Sequence, residues 1–185
     1  MIVVEPFVLA ALVLALIASF ITDIRSQKIP NWITYPVIVL ALLAYSTIDG
    51  YHGLLYSAEG LGLGLALLMP FYAMGGTGAG DVKLMAAVGA ALGPGSLLCA
   101  FFSTGIVGGV MAAGILLLRP ERTKEVVFRV CGALKTLVLA KELGFSRPAP
   151  GQGGLKLSYG VAISIGALAY IFFEIYRGGI SFHLL

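Results

Sequence analysis

Charge is what this chain has least of. Only 11% of its 185 residues are Asp, Glu, Lys or Arg, where soluble domains carry about 25%. A water-exposed surface of ordinary composition is therefore not expected. Cysteine is down to two residues, Cys99 and Cys131, far apart and without a CxxC spacing. That argues against a disulfide or a cysteine-held metal and leaves small apolar packing residues. The two histidines, His52 and His183, stand alone and form no ligand pattern. No cofactor or metal is expected. The basic residues flank apolar runs, which is a membrane habit and not a nucleic-acid footprint. The first apolar run lacks the basic start and small-residue cleavage site of a secretory signal, so it is expected to stay as a helix.

Apolar residues fill the gap. They make up 59% of the chain, with 25 glycines that suit close helix packing in lipid. Runs of the length that crosses a bilayer recur along it. Spans are expected at about Val3 to Ile21, Trp32 to Ile48, Gly60 to Met74, Val82 to Leu92, Ser96 to Leu118 and Leu157 to Tyr176. Asp49 to Glu59 is expected as a polar turn, and Gly93-Pro94-Gly95 as the close of the short fourth span. Glu121 to Leu143 mixes charge with apolar residues at helical spacing, which fits a helix lying on the membrane surface. Phe145 to Gly154 is a Pro- and Gly-rich loop. The fold class is thus all-α: one polytopic membrane domain over 1–185, with about six transmembrane helices and an amphipathic cytoplasmic segment within 119–156.

Charge placement orients it. With six spans, the first, third and fifth loops share one side. They carry Arg25 and Lys28, then Lys83, then eight more basic residues from Arg119 to Lys156. That is eleven of the twelve, with Arg177 alone opposite. The positive-inside rule puts these loops in the cytoplasm and both termini outside.

The stretch Gly75-Gly-Thr-Gly-Ala-Gly-Asp-Val-Lys83 interrupts this frame. Four glycines in six residues disfavour helix, each by roughly 1 kcal/mol relative to Ala. A break is expected from Gly75 to Gly80, with Asp81 opening the next helix. Irregular backbone at membrane depth persists only inside protein or along a wet cavity, and an ionisable residue beside it is a functional candidate. Asp23 ends the first span. Two crossings separate it from Asp81, so both carboxylates fall at the same face. A close carboxylate pair can share a proton, one member deprotonating water while the other donates to a carbonyl oxygen. Read singly, Asp23 is equally an interfacial partner of Arg25 or Lys28, Asp81 a helix cap, and the glycines helix-packing contacts.

These residues also carry a family likeness. Gly78-Ala-Gly-Asp-Val-Lys-Leu-Met-Ala-Ala-Val-Gly89 resembles the GxGD motif of type IV prepilin peptidases. Asp23 followed by Ile29-Pro-Asn31 and Thr34 is similar to that family's first aspartate motif. Lys156-Leu-Ser-Tyr-Gly-Val-Ala-Ile163 resembles its C-terminal segment, with Ser158 where Pro is usual. The resemblance implies a membrane aspartyl endopeptidase of the inner membrane. It would remove leader peptides from prepilin or pseudopilin precursors at the cytoplasmic face, with Asp23 and Asp81 as the catalytic carboxylates. Gly78 and Gly80 would let substrate backbone approach, and Lys83 would orient Asp81 or line the site. Expected partners are these precursors and the lipid bilayer, with no nucleic acid. Self-association is left open.

Longer members of the family carry an extra cytoplasmic segment, often with paired CxxC motifs, associated with N-methylation. Few residues separate Asp23 from the second span here, and no CxxC occurs. The chain resembles the short, peptidase-only form used with Flp/Tad-type pili. An alternative of another class is a transporter or channel with intramembrane acids. Against it, no inverted repeat is visible and the acids gather at one face.

Overall fold

A helix that is apolar on every side must be covered on every side, by protein or by lipid. In the computed structural model, which describes residues 2–3, 5–118, 159–178 and 180–181, both solutions occur. The order is β1 (Ile2–Val3), α1 (Pro6–Ser26), α2 (Asn31–Ile48), α3 (Gly50–Ala73), α4 (Ala79–Leu118), α5 (Tyr159–Tyr176) and β2 (Ile180–Ser181). The fold is all-helical apart from the two-residue parallel pairing of β1 with β2, which joins the two ends of the described chain. The expected surface helix over Glu121 to Leu143, the loop at Phe145 to Gly154, and Ser158 lie outside the described residues.

Among the described residues, five helices are long and apolar enough to cross a membrane. The longest, α4, is two legs joined at Gly93, whose φ of 77° and ψ of 172° are not helical. The legs fold back on each other: a Cβ at Gly89 would meet Leu97 at 3.0 Å. Counted as a hairpin, α4 is consistent with six passes. The first leg is the hub. From Val82 to Leu92 every residue except Lys83 is buried, and α1, α2, α3 and α5 all pack on α4. The outer helices turn large apolar side chains outward instead, such as Leu14, Ile17, Ile21 and Ile24 on α1. These suit a lipid face. The chain is a multi-pass membrane protein.

The hairpin at Gly93 creates a hydrogen-bond problem that α2 and α3 solve. Pro94 has no N–H, so the Ala90 carbonyl loses its helical donor, and the next carbonyls run off the end of the leg. Ser57 donates to the Ala90 oxygen at 2.9 Å, Tyr45 to Ala91 at 2.8 Å and Tyr56 to Leu92 at 2.9 Å. The two tyrosine rings meet edge to face, 5.6 Å apart.

Ser57 and Tyr56 also explain a correction. The polar stretch Asp49 to Glu59 is not a turn but the first turns of α3, which begins at Gly50. Two of its polar residues, Tyr56 and Ser57, cap α4, so their polarity marks helix contacts and not a loop. The actual turn is the pair Asp49 and Gly50, with Gly50 at φ 58°. Similarly, α1 runs past Asp23 to Ser26, which shortens the following loop to 27–30.

Among the described helices, the α3–α4 pairing is the most extensive. Gly60 and Gly89 face each other backbone to backbone, so that a Cβ on either would strike the carbonyl of the other. Gly64 lies similarly against Met85 and Ala86, where an added Cβ would be 2.6 Å from the Met85 oxygen. Gly62, in the same helix, has nothing within 4 Å. The two positions therefore separate propensity from packing. Gly62→Ala should leave stability unchanged or raise it by up to about 1 kcal/mol, the helix preference of Ala over Gly. Gly60→Ala should be strongly destabilising. Thermal unfolding of the purified protein in detergent checks this, and matching melting temperatures for the two variants would contradict the close contact.

Candidate active site

Helical spacing decides where Asp23 points. The buried positions of α1 are Val8, Leu9, Leu12, Ala15, Leu16, Ser19 and Asp23. The aspartate is thus the last member of the inward stripe, one turn beyond Ser19. It is only 4% exposed. A carboxylate so far from water needs donors. It finds one at the start of α5, where the Val161 N–H donates to its Oδ2 at 3.0 Å. The first N–H groups of a helix have no partner inside the helix and carry the positive end of its dipole. Gly160 is the residue that allows the approach: a Cβ there would be 2.8 Å from Oδ2.

Asp81 solves the same problem with its own helix. Helix α3 ends at Ala73, and Gly75 takes φ 75°, a backbone region that glycine enters freely. The chain re-enters helix at Ala79. The break is shorter than the expected Gly75 to Gly80, because Ala79 and Gly80 are already helical, and Asp81 falls in the first turn of α4. The Gly78 N–H donates to Asp81 Oδ2 at 2.8 Å, and Asp81 is 8% exposed. Each aspartate thus has one oxygen fixed by a backbone N–H at a helix start.

The structure brings the two aspartates together. Tyr159 heads α5, next to Gly160. Buried Ile29, from the four-residue loop between α1 and α2, lies against both helix starts that hold the aspartates. A Cβ on Gly80 would be 3.0 Å from Ile29 Cβ, and one on Gly160 would be 2.7 Å from Ile29 Cδ1.

The remaining sequence candidates divide. Gly78 touches Asp81 directly. Gly80 faces Ile29 of its own chain. Lys83 reaches away toward the start of α2, where its Nζ donates to Asn31 Oδ1 at 2.9 Å and sits 5.3 Å from the centre of the Tyr35 ring. Sequence reasoning assigned no role to Ile29, Asn31, Tyr159, Gly160 or Val161. The available signal was that Ile29 and Asn31 fall in the first aspartate motif, and Tyr159 to Val161 in the C-terminal one. Among the described residues, no three His, Cys, Asp or Glu side chains converge as a metal site would require.

Comparison with known proteins bears on the same residues. A 116-residue stretch, 61% of the chain, is 35% identical to the prepilin leader peptidase/N-methyltransferase of Bacillus subtilis (strain 168). The chain spans 46%, about half, of that relative's length. No solved structure matches. The model of the type IV leader peptidase family matches residues 10–113, more than half of the sequence and the part that contains Asp23, the glycine break and Asp81. This chain belongs to the type IV leader peptidase family.

Proposed function

We propose that this protein is a membrane aspartyl endopeptidase that removes leader peptides from prepilin-like precursors. The observation that carries the reading is the convergence of two buried carboxylates, Asp23 and Asp81, each tied to a helix start, inside the stretch that defines the family. One carboxylate takes a proton from water as the water oxygen attacks the scissile carbonyl carbon. The other gives its proton to the carbonyl oxygen. The tetrahedral intermediate then collapses: the C–N bond breaks and the departing nitrogen takes up a proton from the pair. The two act as a unit with shared protons, so neither role is assigned to one residue. The backbone donors hold each carboxyl group in a fixed rotation, which is a positioning contribution.

Cleavage is proposed at the cytoplasmic face of the inner membrane, with both termini outside. The distribution of Lys and Arg supports this orientation, and the β1–β2 pairing supports placing both ends on one side. The peptidase is proposed to act without methylating its product. The loop between α1 and α2 spans only 27–30, and no CxxC occurs anywhere in the sequence.

The pair is tested by Asp23→Asn and Asp81→Asn, assayed on pilin precursors with protein that is folded and membrane-inserted. Each change should reduce cleavage by at least about 10²–10⁴-fold, the usual contribution of a positioned proton donor or acceptor. Near-native cleavage by either variant is incompatible with the mechanism. Orientation is tested by single cysteines in a background with Cys99 and Cys131 replaced. An impermeant thiol reagent added to intact cells should fail to label Ser26→Cys and should label Tyr51→Cys. The reverse pattern would invert the assignment. Mass spectrometry of the processed pilin should show an unmodified N-terminus even with S-adenosylmethionine present; a methyl increment would refute the peptidase-only reading.

A further inference from the structure

Glycine stands at the second position of two helices, Gly80 in α4 and Gly160 in α5, and both face one side chain. Each of these helix starts holds one aspartate. The Ile29 backbone and Cβ lie on Gly80, with the Ile29 oxygen 3.2 Å from where a Cβ would be. Its Cδ1 reaches Gly160, where the same absent Cβ would also crowd Asp23. Ile29 therefore spans the gap between the two helix starts. Neighbouring geometry keeps it there. Gln27 ends α1 in the left-handed region at φ 49°, its N–H bonded to the Asp23 carbonyl oxygen at 2.9 Å. Pro30 is extended at φ −74° and ψ 146°, and opens α2. The loop is pinned at both ends, and Ile is stiff at χ1 because it branches at Cβ.

We propose that Ile29 is a positioning residue, a spacer that sets the separation of Asp23 and Asp81. It touches no reacting atom. It acts by keeping the start of α4 and the start of α5 a fixed distance apart, since each carboxylate is tethered to one of them. The proposal rests on the reading of Asp23 and Asp81 as a reacting pair. A proton-sharing pair tolerates little change in separation, because a displacement of about 1 Å can cost on the order of a hundredfold in rate. Both glycines follow from it: a Cβ at either position would push the spacer or the carboxylate.

Cross-linking tests the spacer without relying on any activity. Cysteines replace the first residues of the two helices, Ala79 and Tyr159, with both aspartates kept, in a background with Cys99→Ser and Cys131→Ser, and a short bifunctional thiol reagent reports their approach. A control pair, Tyr45→Cys with Ala91→Cys, reports general loosening at the far end of the bundle. Ile29→Ala should raise cross-linking of the 79–159 pair severalfold and leave the control pair unchanged. Ile29→Val, which keeps the branch and loses Cδ1, should fall between Ile29→Ala and the native chain. In parallel, in the chain without added cysteines, Ile29→Ala should lower kcat for precursor cleavage at least tenfold with little change in KM. Ile29→Val should recover most of that loss. An unchanged 79–159 yield, or equal changes in both pairs, overturns the proposal whatever happens to cleavage. A selective change in the 79–159 pair in a protein that cleaves no precursor would support the spacer and remove the peptidase reading instead.

Discussion

A carboxylate can be kept out of water only if something else solvates it. In this protein that constraint is met twice in the same way, by the free backbone N–H groups of a helix start. Asp81 uses the turn before its own helix, through Gly78. Asp23 borrows the start of α5, through Val161, from 138 residues away in sequence. The rest of the site follows from these two tethers. Helix starts must come close to place the carboxylates, close approach demands glycine at positions 80 and 160, and the gap left between them is filled by Ile29.

The half of the site that is local in sequence was legible, and the half that is distant was not. The glycine break announces Asp81 because propensity alone makes helix costly there. Asp23 is harder. Helix α1 is apolar on its lipid side as well as its protein side, so no polar face reveals the direction in which the aspartate points. Ser19, four residues earlier, is the one hint that the polar positions share a face. The start of α5 has no propensity signal at all. Gly160 and Val161 read as part of another apolar span, and their role exists only after folding sets them against α1. Apolar runs likewise marked spans consistent with the described helices, but the stretch from Asp49 to Glu59 misled. The hydroxyl groups of Tyr56 and Ser57 are not meeting water at a turn; they meet carbonyls of α4 inside the bundle.

The first leg of α4 is short for a membrane crossing. From Ala79 to Leu92 it is about 14 residues, or roughly 21 Å at 1.5 Å per residue, where the hydrocarbon layer is about 30 Å thick. The leg survives because it meets almost no lipid: nine of its residues are core positions, enclosed by α1, α2, α3 and α5. A short, enclosed leg draws its first turn, and Asp81 with it, inward from the ends of its longer neighbours. Burial of Asp81 and shortness of the leg are therefore one fact described twice.

The capped hairpin at Gly93 has a consequence for biosynthesis. The carbonyls of Ala90, Ala91 and Leu92 need hydroxyl donors that belong to Tyr45, Tyr56 and Ser57. All three precede α4 in the chain, so a ribosome delivers them first. When the first leg of α4 leaves the translocon, the groups that complete it are already in the membrane. The reverse order would expose three unsatisfied carbonyls to hydrocarbon, each costing several kcal/mol. The sequence order of this bundle is thus also a workable assembly order, with the central helix arriving after the two helices that cap it and before α5 closes over it.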